Sequence, residues 1–380
     1  MRHFLQLSPT NGLISQDYLA TPLGKQAPDV IKLEKSVAIL PFKNDSKDEE
    51  NTYFINGLME EVLNNLQKIK DLRVISRTSV EQYRNQTKPI PEIAKELGVN
   101  YFVEGSGQKY GNSFRLRTQL IMAAKETHLW GESFQQEVNE VKEIFRIQSQ
   151  IAESIAKELK AVITPQEKQL IEKIPTKELA AYDAYLMGQS YWRKLTPNDL
   201  ETAMKYFKLA LEKDSDYALA YAGIGFVWGG LAQMGYLSPA EAFPQMGEAL
   251  MTALKLDSTL DLIHYVFACN KTWGEWDWET GESEFKKTLE INPNHAEARA
   301  YYSHFLNIVG RPKEAMEQID LALKLDPRNP LLKSLYAIDL LLVHRYNDAV
   351  TAAHNAVQVD PTNPVGLCAL VQGLHLTGNF

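Results

Sequence analysis

The second half of the chain repeats itself, and that constrains its fold more than any other feature. Aligning its Leu-Asp-Pro-like helix ends puts Leu211, Leu254, Leu289, Leu323 and Val357 in register, with successive separations of 43, 35, 34 and 34 residues. Each phrase ends in an equivalent turn, at Asp214-Ser215, Asp257-Ser258, Asn292-Pro293, Asp326-Pro327 and Asp360-Pro361. Four residues before each turn stands a small side chain, Ala210, Ala253, Thr288, Ala322 or Ala356, where two helices must approach closely. A unit of this length cannot bury its apolar stripe alone, so stacked neighbours share one elongated core and at least three repeats are needed. The nine extra residues of the longest interval fall around Gly235–Ala240.

A 34-residue period of paired helices points to tetratricopeptide repeats over residues 180–380, about five with an incomplete sixth. The sixth begins at Pro364, carries Leu367, Leu370 and Leu374 in helical register and stops at Phe380, where its second helix should start. The expectation is a piece of a longer product, with an apolar stripe left for self-association. First helices line the inner face of such arrays. Here they supply Tyr265, Cys269, Trp273, Glu297, Ala300, His304, Asn307, Ser334, Ile338 and Leu341. Of these, Tyr265, Trp273, His304, Asn307, Ile338 and Leu341 are the expected partner-binding groove, and a protein or an extended or helical apolar peptide is the partner that fits. The other face is charged, with Lys286, Lys287, Glu314, Lys324 and Asp348. Trp273, Trp276 and Trp278 read as core packing of the third repeat.

Upstream, strand and helix alternate. Val37–Leu40 is a short apolar run ended by Pro41, and a helix follows with Phe54, Leu58, Val62, Leu63, Leu66 and Ile69 at three- and four-residue steps. Leu72–Ile75 is a second strand, and Thr78 with Glu81 reads as a helix cap. Pro91 and Gly98 frame another helix, Gly111-Asn112 a hairpin tip, and a long helix runs from about Val138 to Leu159. The fold class expected is therefore an α/β domain, a mixed sheet with helices, followed by an all-α repeat solenoid. Its parts are a leader at 1–35, the α/β domain at 36–163, a linker at 164–179 and the repeats.

Composition narrows the chemistry. Among 380 residues, 40 Lys and Arg face 48 Asp and Glu, a formal net charge of −8, so no nucleic-acid partner is expected for this chain. Cys269 and Cys368 form no disulfide framework and no zinc spacing, and His304, His344 and His354 fall in different repeat registers, so neither metal nor cofactor is expected. Gly105-Ser106-Gly107 lacks the Gly-Lys-Ser/Thr ending that cradles phosphate and reads as a bulged hairpin. Glu60 and Glu61 read as a solvated helix face, and Arg73, Arg77, Arg84 and Lys88, interleaved with acids, as mixed surface. No catalytic constellation stands out, so no enzyme is expected. The uncharged stretch from Tyr217 to Ala240 has the length of a membrane span but sits inside the repeat register. Without that span or a signal peptide the expected location is cytoplasmic, or periplasmic as part of a longer anchored product.

Six phrases of the first domain carry a resemblance. SVAILPF at Ser36–Phe42, YFINGLMEE at Tyr53–Glu61, VISRTSV at Val74–Val80, EIAKELGV at Glu92–Val99, VEGS at Val103–Ser106 and HLW at His128–Trp130 occur in this order. The chain resembles the TolB amino-terminal-like, or flagellar FlgO-like, α/β domain followed by tetratricopeptide repeats; Trp276-Asp277-Trp278 leading to Glu284-Phe285 looks like the third repeat of the same proteins. Gly107-Gln108 and Ala123–Glu126 depart from the family pattern. The resemblance implies the sensory half of bacterial signalling proteins whose output domain is an adenylate/guanylate cyclase, a kinase or a winged helix. Residues 1–35 are too few to hold such a domain. The resulting expectation is a non-catalytic interaction and sensory scaffold, the alternative being a detached sensory half of a cyclase or a DNA-binding regulator.

Overall fold

The computed structural model describes residues 33–46, 51–85, 87–111, 113–137 and 140–378. The leader expected at 1–35 lies outside the described residues up to residue 32, as does Asn112 of the hairpin tip. From Glu34 onward the described residues belong to one compact unit.

The sheet is mixed, as expected. Strand β1 (Ser36–Ile39) pairs in parallel with β3 (Arg73–Val74) and β4 (Tyr101–Tyr110), and β4, β5 (Ser113–Met122) and β6 (Thr127–Glu137) run antiparallel. The order is β3-β1-β4-β5-β6, with the short β2 (Lys43–Asn44) on the far part of β4. All four residues of β1 are buried because both sheet faces are covered. Alternation sends Val37 and Ile39 toward α1 (Thr52–Gln67) and α4 (Val141–Glu158), and Ala38 toward α2 (Arg77–Glu81) and α3 (Ile90–Leu97).

Three local expectations change. The β4–β5 pairing runs without interruption through Gly105 and Gly107, and the register shift lies instead between Leu120 and Ile121 opposite β6. The two glycines serve close approach: a Cβ at 105 would come within 2.7 Å of the Phe42 ring and one at 107 within 2.5 Å of Ile55. Helix α2 begins at Arg77 behind Ser76, with no side-chain cap, so Thr78 lies inside the first turn, and Glu81 pairs with Arg84 and Arg77 instead. Within 164–179 lies a helix, α5 (Pro165–Ile171), whose capping box joins Thr164 and Glu167.

The repeats are the hairpins α6/α7 (Leu179–Trp192, Pro197–Lys213), α8/α9 (Ala218–Gln233, Pro239–Leu256), α10/α11 (Asp261–Cys269, Trp278–Ile291), α12/α13 (Ala296–Ile308, Pro312–Leu325) and α14/α15 (Pro330–Leu342, Tyr346–Val359), followed by α16 (Pro364–Thr377). Ala210, Ala253, Thr288, Ala322 and Ala356 are fully buried, and each carbonyl accepts from the backbone N–H of the turn residue Asp214, Asp257, Asn292, Asp326 or Asp360. The uncharged stretch becomes α8. Among the described residues no helix is long and apolar enough to cross a membrane. On α16, Gly366, Ala369 and Gly373 are buried and Leu370 packs on the α14–α15 core, so the exposed apolar residues are Leu367, Val371 and Leu376, and of the expected three leucines only Leu367 is among them.

One apolar core runs from α1 and α4 into Tyr182, Tyr185, Phe207 and Tyr217 of the first hairpins. Further along, the turns between hairpins are bonded to the α/β part. The buried Asn294 accepts from Val74 N–H at 3.0 Å and donates to the Gln67 carbonyl at 2.9 Å. Ser76 N–H donates to the Leu325 carbonyl at 2.8 Å, and Ser79 Oγ donates to Asp326 at 2.5 Å. Arg73 donates to the Lys324 carbonyl at 2.9 Å, so this residue of the expected mixed surface is a bridge.

Candidate functional site

Four of the six expected groove residues come together on α10, the turn after it and α12. Tyr265 lies 5.9 Å from Tyr301 between ring centroids, Trp273 lies 5.6 Å from Tyr301, and the His304 ring stacks on Trp273 at 6.1 Å. All four rings are half-buried. Trp273 also meets Phe285 edge-on at 6.1 Å, the core role expected of it. Trp276 and Trp278 do not follow: they lie 6.5 Å apart and are 70% and 40% exposed, since the π-helical turn Asn270–Gly274 lifts them off the hairpin.

Asn307 stands one turn beyond His304 with both amide atoms buried and without a hydrogen-bond partner. Beneath it, Asp339 of α14 is fully buried; one oxygen accepts from Ser303 Oγ and the other lies 3.6 Å from His304 Nδ1. That distance is too long for a hydrogen bond, and His304 Nδ1 and the nearer Asp339 oxygen, like the Asn307 amide, are buried without a partner. Ile338 and Leu341 belong to the next core, with Ala349 and Ala353, and Leu341 is 8% exposed, so it does not line an open surface. Ala300 and Ser334 are fully buried between helices. His344 bonds Tyr346 at 2.7 Å and His354 is exposed on α15, each remote in role from His304.

The site that sequence reasoning missed lies between α1 and the repeats. Glu60 and Glu61 are not a solvated face. Glu60 pairs with Arg77 at 2.7 Å and with Arg193 of α6. Glu61 lines a cavity of about 390 Å³ bounded by α1, α4, α5 and α6 and by the leading ends of α10 and α12. Burial pushes the Glu61 carboxyl up to about 7, against the pull of Lys68. Burial likewise raises Glu297 and lowers Lys68 and His295. A neighbouring cavity of about 310 Å³ is lined by Arg77, Arg84 and Arg193 with Glu60 and Glu81. The adjacency of two glutamates was the only local signal. Arg77 and Lys68 stand within 17 positions of the pair, but Arg193 and the walls of the cavity on α10 and α12 come from more than 100 positions further along.

Residues 33–154 match the family described as HilA/YgeH-like transcriptional regulator, second domain. The chain is 27% identical over 259 residues to the putative adenylate cyclase 3 of Rhizobium meliloti, covering 66% of this chain and 42% of that protein. It is 22% identical over 296 residues to the transcriptional regulator HilA of Salmonella typhimurium, covering 76% of this chain and 50% of that protein. It therefore spans half or less of the length of these curated relatives. Among solved structures, pilF of Pseudomonas aeruginosa aligns with a TM-score of 0.42 at 17% identity, over 53% of this chain and 85% of that one.

Proposed function

We propose that this chain is the sensory and docking part of a bacterial signalling protein, a module that works by binding and does not itself turn over a substrate. The observation that carries the reading is the aromatic shelf of Tyr265, Tyr301, Trp273 and His304 on neighbouring hairpins. Rigid rings at half burial lose little conformational entropy when a partner covers them, which makes them efficient anchors for a protein or peptide. Few charges stand among them, which suits an extended or helical apolar segment. In this reading residues 36–163 form the TolB amino-terminal-like sensory unit, 164–179 the connection and 180–380 the interaction arm. Self-association would run through Leu367, Val371 and Leu376.

The likeness to a putative adenylate cyclase and to a transcriptional regulator favours a second reading, the sensory half of a longer product with such an output domain. The coding sequence on either side distinguishes the two. For the docking surface, a photo-crosslinking amino acid at position 304 should trap a protein partner in cells, and one at position 286, on the 62%-exposed Lys286 of α11, should not. Adducts from position 286 alone would place the partner on the charged face and overturn the reading.

A further inference from the structure

The cavity between α1 and the repeats holds more negative charge than its own cations neutralise. Around it, Arg77 and Arg193 are consumed by Glu60, Lys173 by Asp257, and Asp326 by Ser79 and by Asn329 at 2.9 Å. Three carboxylates remain. Glu61 receives only Asn64, one turn on, at 3.5 Å; Asp261 accepts from Asn292 at 2.7 Å; Glu297 makes no hydrogen bond or ion pair among the described residues. Against them stands Lys68, whose ammonium already donates to the Asn65 side chain at 3.1 Å and the Leu170 carbonyl at 3.2 Å. His295 accepts at Nδ1 from Ala298 N–H at 3.2 Å and is held neutral by burial, so it adds an Nε2 donor but no charge. Half-buried carboxylates without a counter-charge are costly, and a proton or a cation relieves them.

The spacing selects the kind of cation. Among the described residues no three His, Cys, Asp or Glu side chains converge closely enough to hold a metal ion. Carboxylates spread over α1, α10 and α12 are instead met by a polyatomic head with several N–H donors, and the same cavity offers Tyr185, Trp192 and Phe226 to an apolar or π-bonded body. A volume of about 390 Å³ lies within the range of small-molecule sites. We propose that this cavity binds a small organic cation, an amine or guanidinium, its head held by Glu61, Asp261 and Glu297 and its body against the three aromatic rings. The occupant joins α1 to the leading ends of α10 and α12, so the α/β part and the repeats are drawn together by ligand. The cavity adjoins the aromatic shelf, with the His295 ring 5.0 Å from that of Tyr265, but its charge and volume stand whether or not a partner docks there.

The test is calorimetric titration of the full chain with agmatine and with phenethylamine, using uncharged 2-phenylethanol as control. At least one amine should bind saturably at 1:1 and the alcohol should not. Binding should weaken ten-fold or more in Glu61→Gln and in Glu297→Gln and be unchanged in Lys286→Ala. Binding at pH 7 should also release protons, read as a heat that depends on the buffer, because a cation beside Glu61 expels its proton. Melting curves guard against misfolding, since removing an uncompensated charge should leave the ligand-free variants at least as stable as the parent. The proposal is overturned if neither amine binds at millimolar concentration, if the alcohol binds equally, or if folded Glu→Gln variants bind as the parent does.

Discussion

Glu60 and Glu61 stand side by side on α1 and meet opposite fates. Neighbouring helix positions diverge by about 100°; one carboxylate reaches two arginines and the other a cavity. Burial moves the Glu61 carboxyl from 4.5 to about 7, with Glu60 and Asp261 adding to the rise and Lys68 opposing it. Between those values the folded state holds a proton that the unfolded chain has released, so this group's contribution to stability falls as pH rises through the window. Glu61→Gln removes that slope. Against the parent, the variant should gain stability from about pH 5 to 7, reaching on the order of 1–3 kcal/mol. Urea unfolding at several pH values checks this, and parallel pH profiles for the two proteins would refute it. The divergence of the two side chains was legible in the sequence, but their surroundings were not, because Arg193, Asp261 and Glu297 arrive from other hairpins.

At the scale of elements, glycines in the repeats show where helices touch. Phe207 of α7 is buried between α6 and α8, and a Cβ at Gly188 or Gly223 would come within 2.7 or 2.5 Å of its ring. The apolar spacing of α8 marks it as a buried helix, yet only the crossing with α7 explains why one of its turns must be bare. Gly223→Ala should therefore cost about 1–3 kcal/mol through overpacking. Gly247, inside α9 with open space where a Cβ would sit, is the contrast. Gly247→Ala should stabilise by about 0.5–1 kcal/mol, since only the helix propensity changes. Thermal melts of the two variants should move in opposite directions; a shared direction would contradict the packing argument.

For the whole molecule, the bonds from Asn294, Ser76, Ser79 and Arg73 tie the α/β part to the turns of the array, and an apolar core joins it to the first hairpins. Scanning calorimetry should accordingly give one main transition rather than two well-separated peaks. Asn294→Ala strips partners from the Val74 N–H and the Gln67 carbonyl, and should lower stability by about 1–3 kcal/mol. Two separated peaks in the parent, or an unshifted transition in the variant, would mean the parts are thermodynamically independent.

The sequence by itself determined what depends on near neighbours along the chain. The repeat period, the small residues at Ala210, Ala253, Thr288, Ala322 and Ala356, the apolar stripe of α1 and the alternation of β5 all follow from helix and strand periodicity, which is a local property. Local pattern also brought Tyr265, Trp273, His304 and Asn307 to one stretch of the array. It failed for Leu341, turned into the next core, and for Trp276 and Trp278, lifted outward by the irregular turn before α11. Only the tertiary structure decided that the array closes against the α/β part, because that contact joins residues far apart in the chain: an apolar core shared with the first hairpins, and turn residues more than 200 positions from their partners. The cavity follows from the same contact. Its charge imbalance is a sum over α1, α10 and α12, and no window of sequence contains all three.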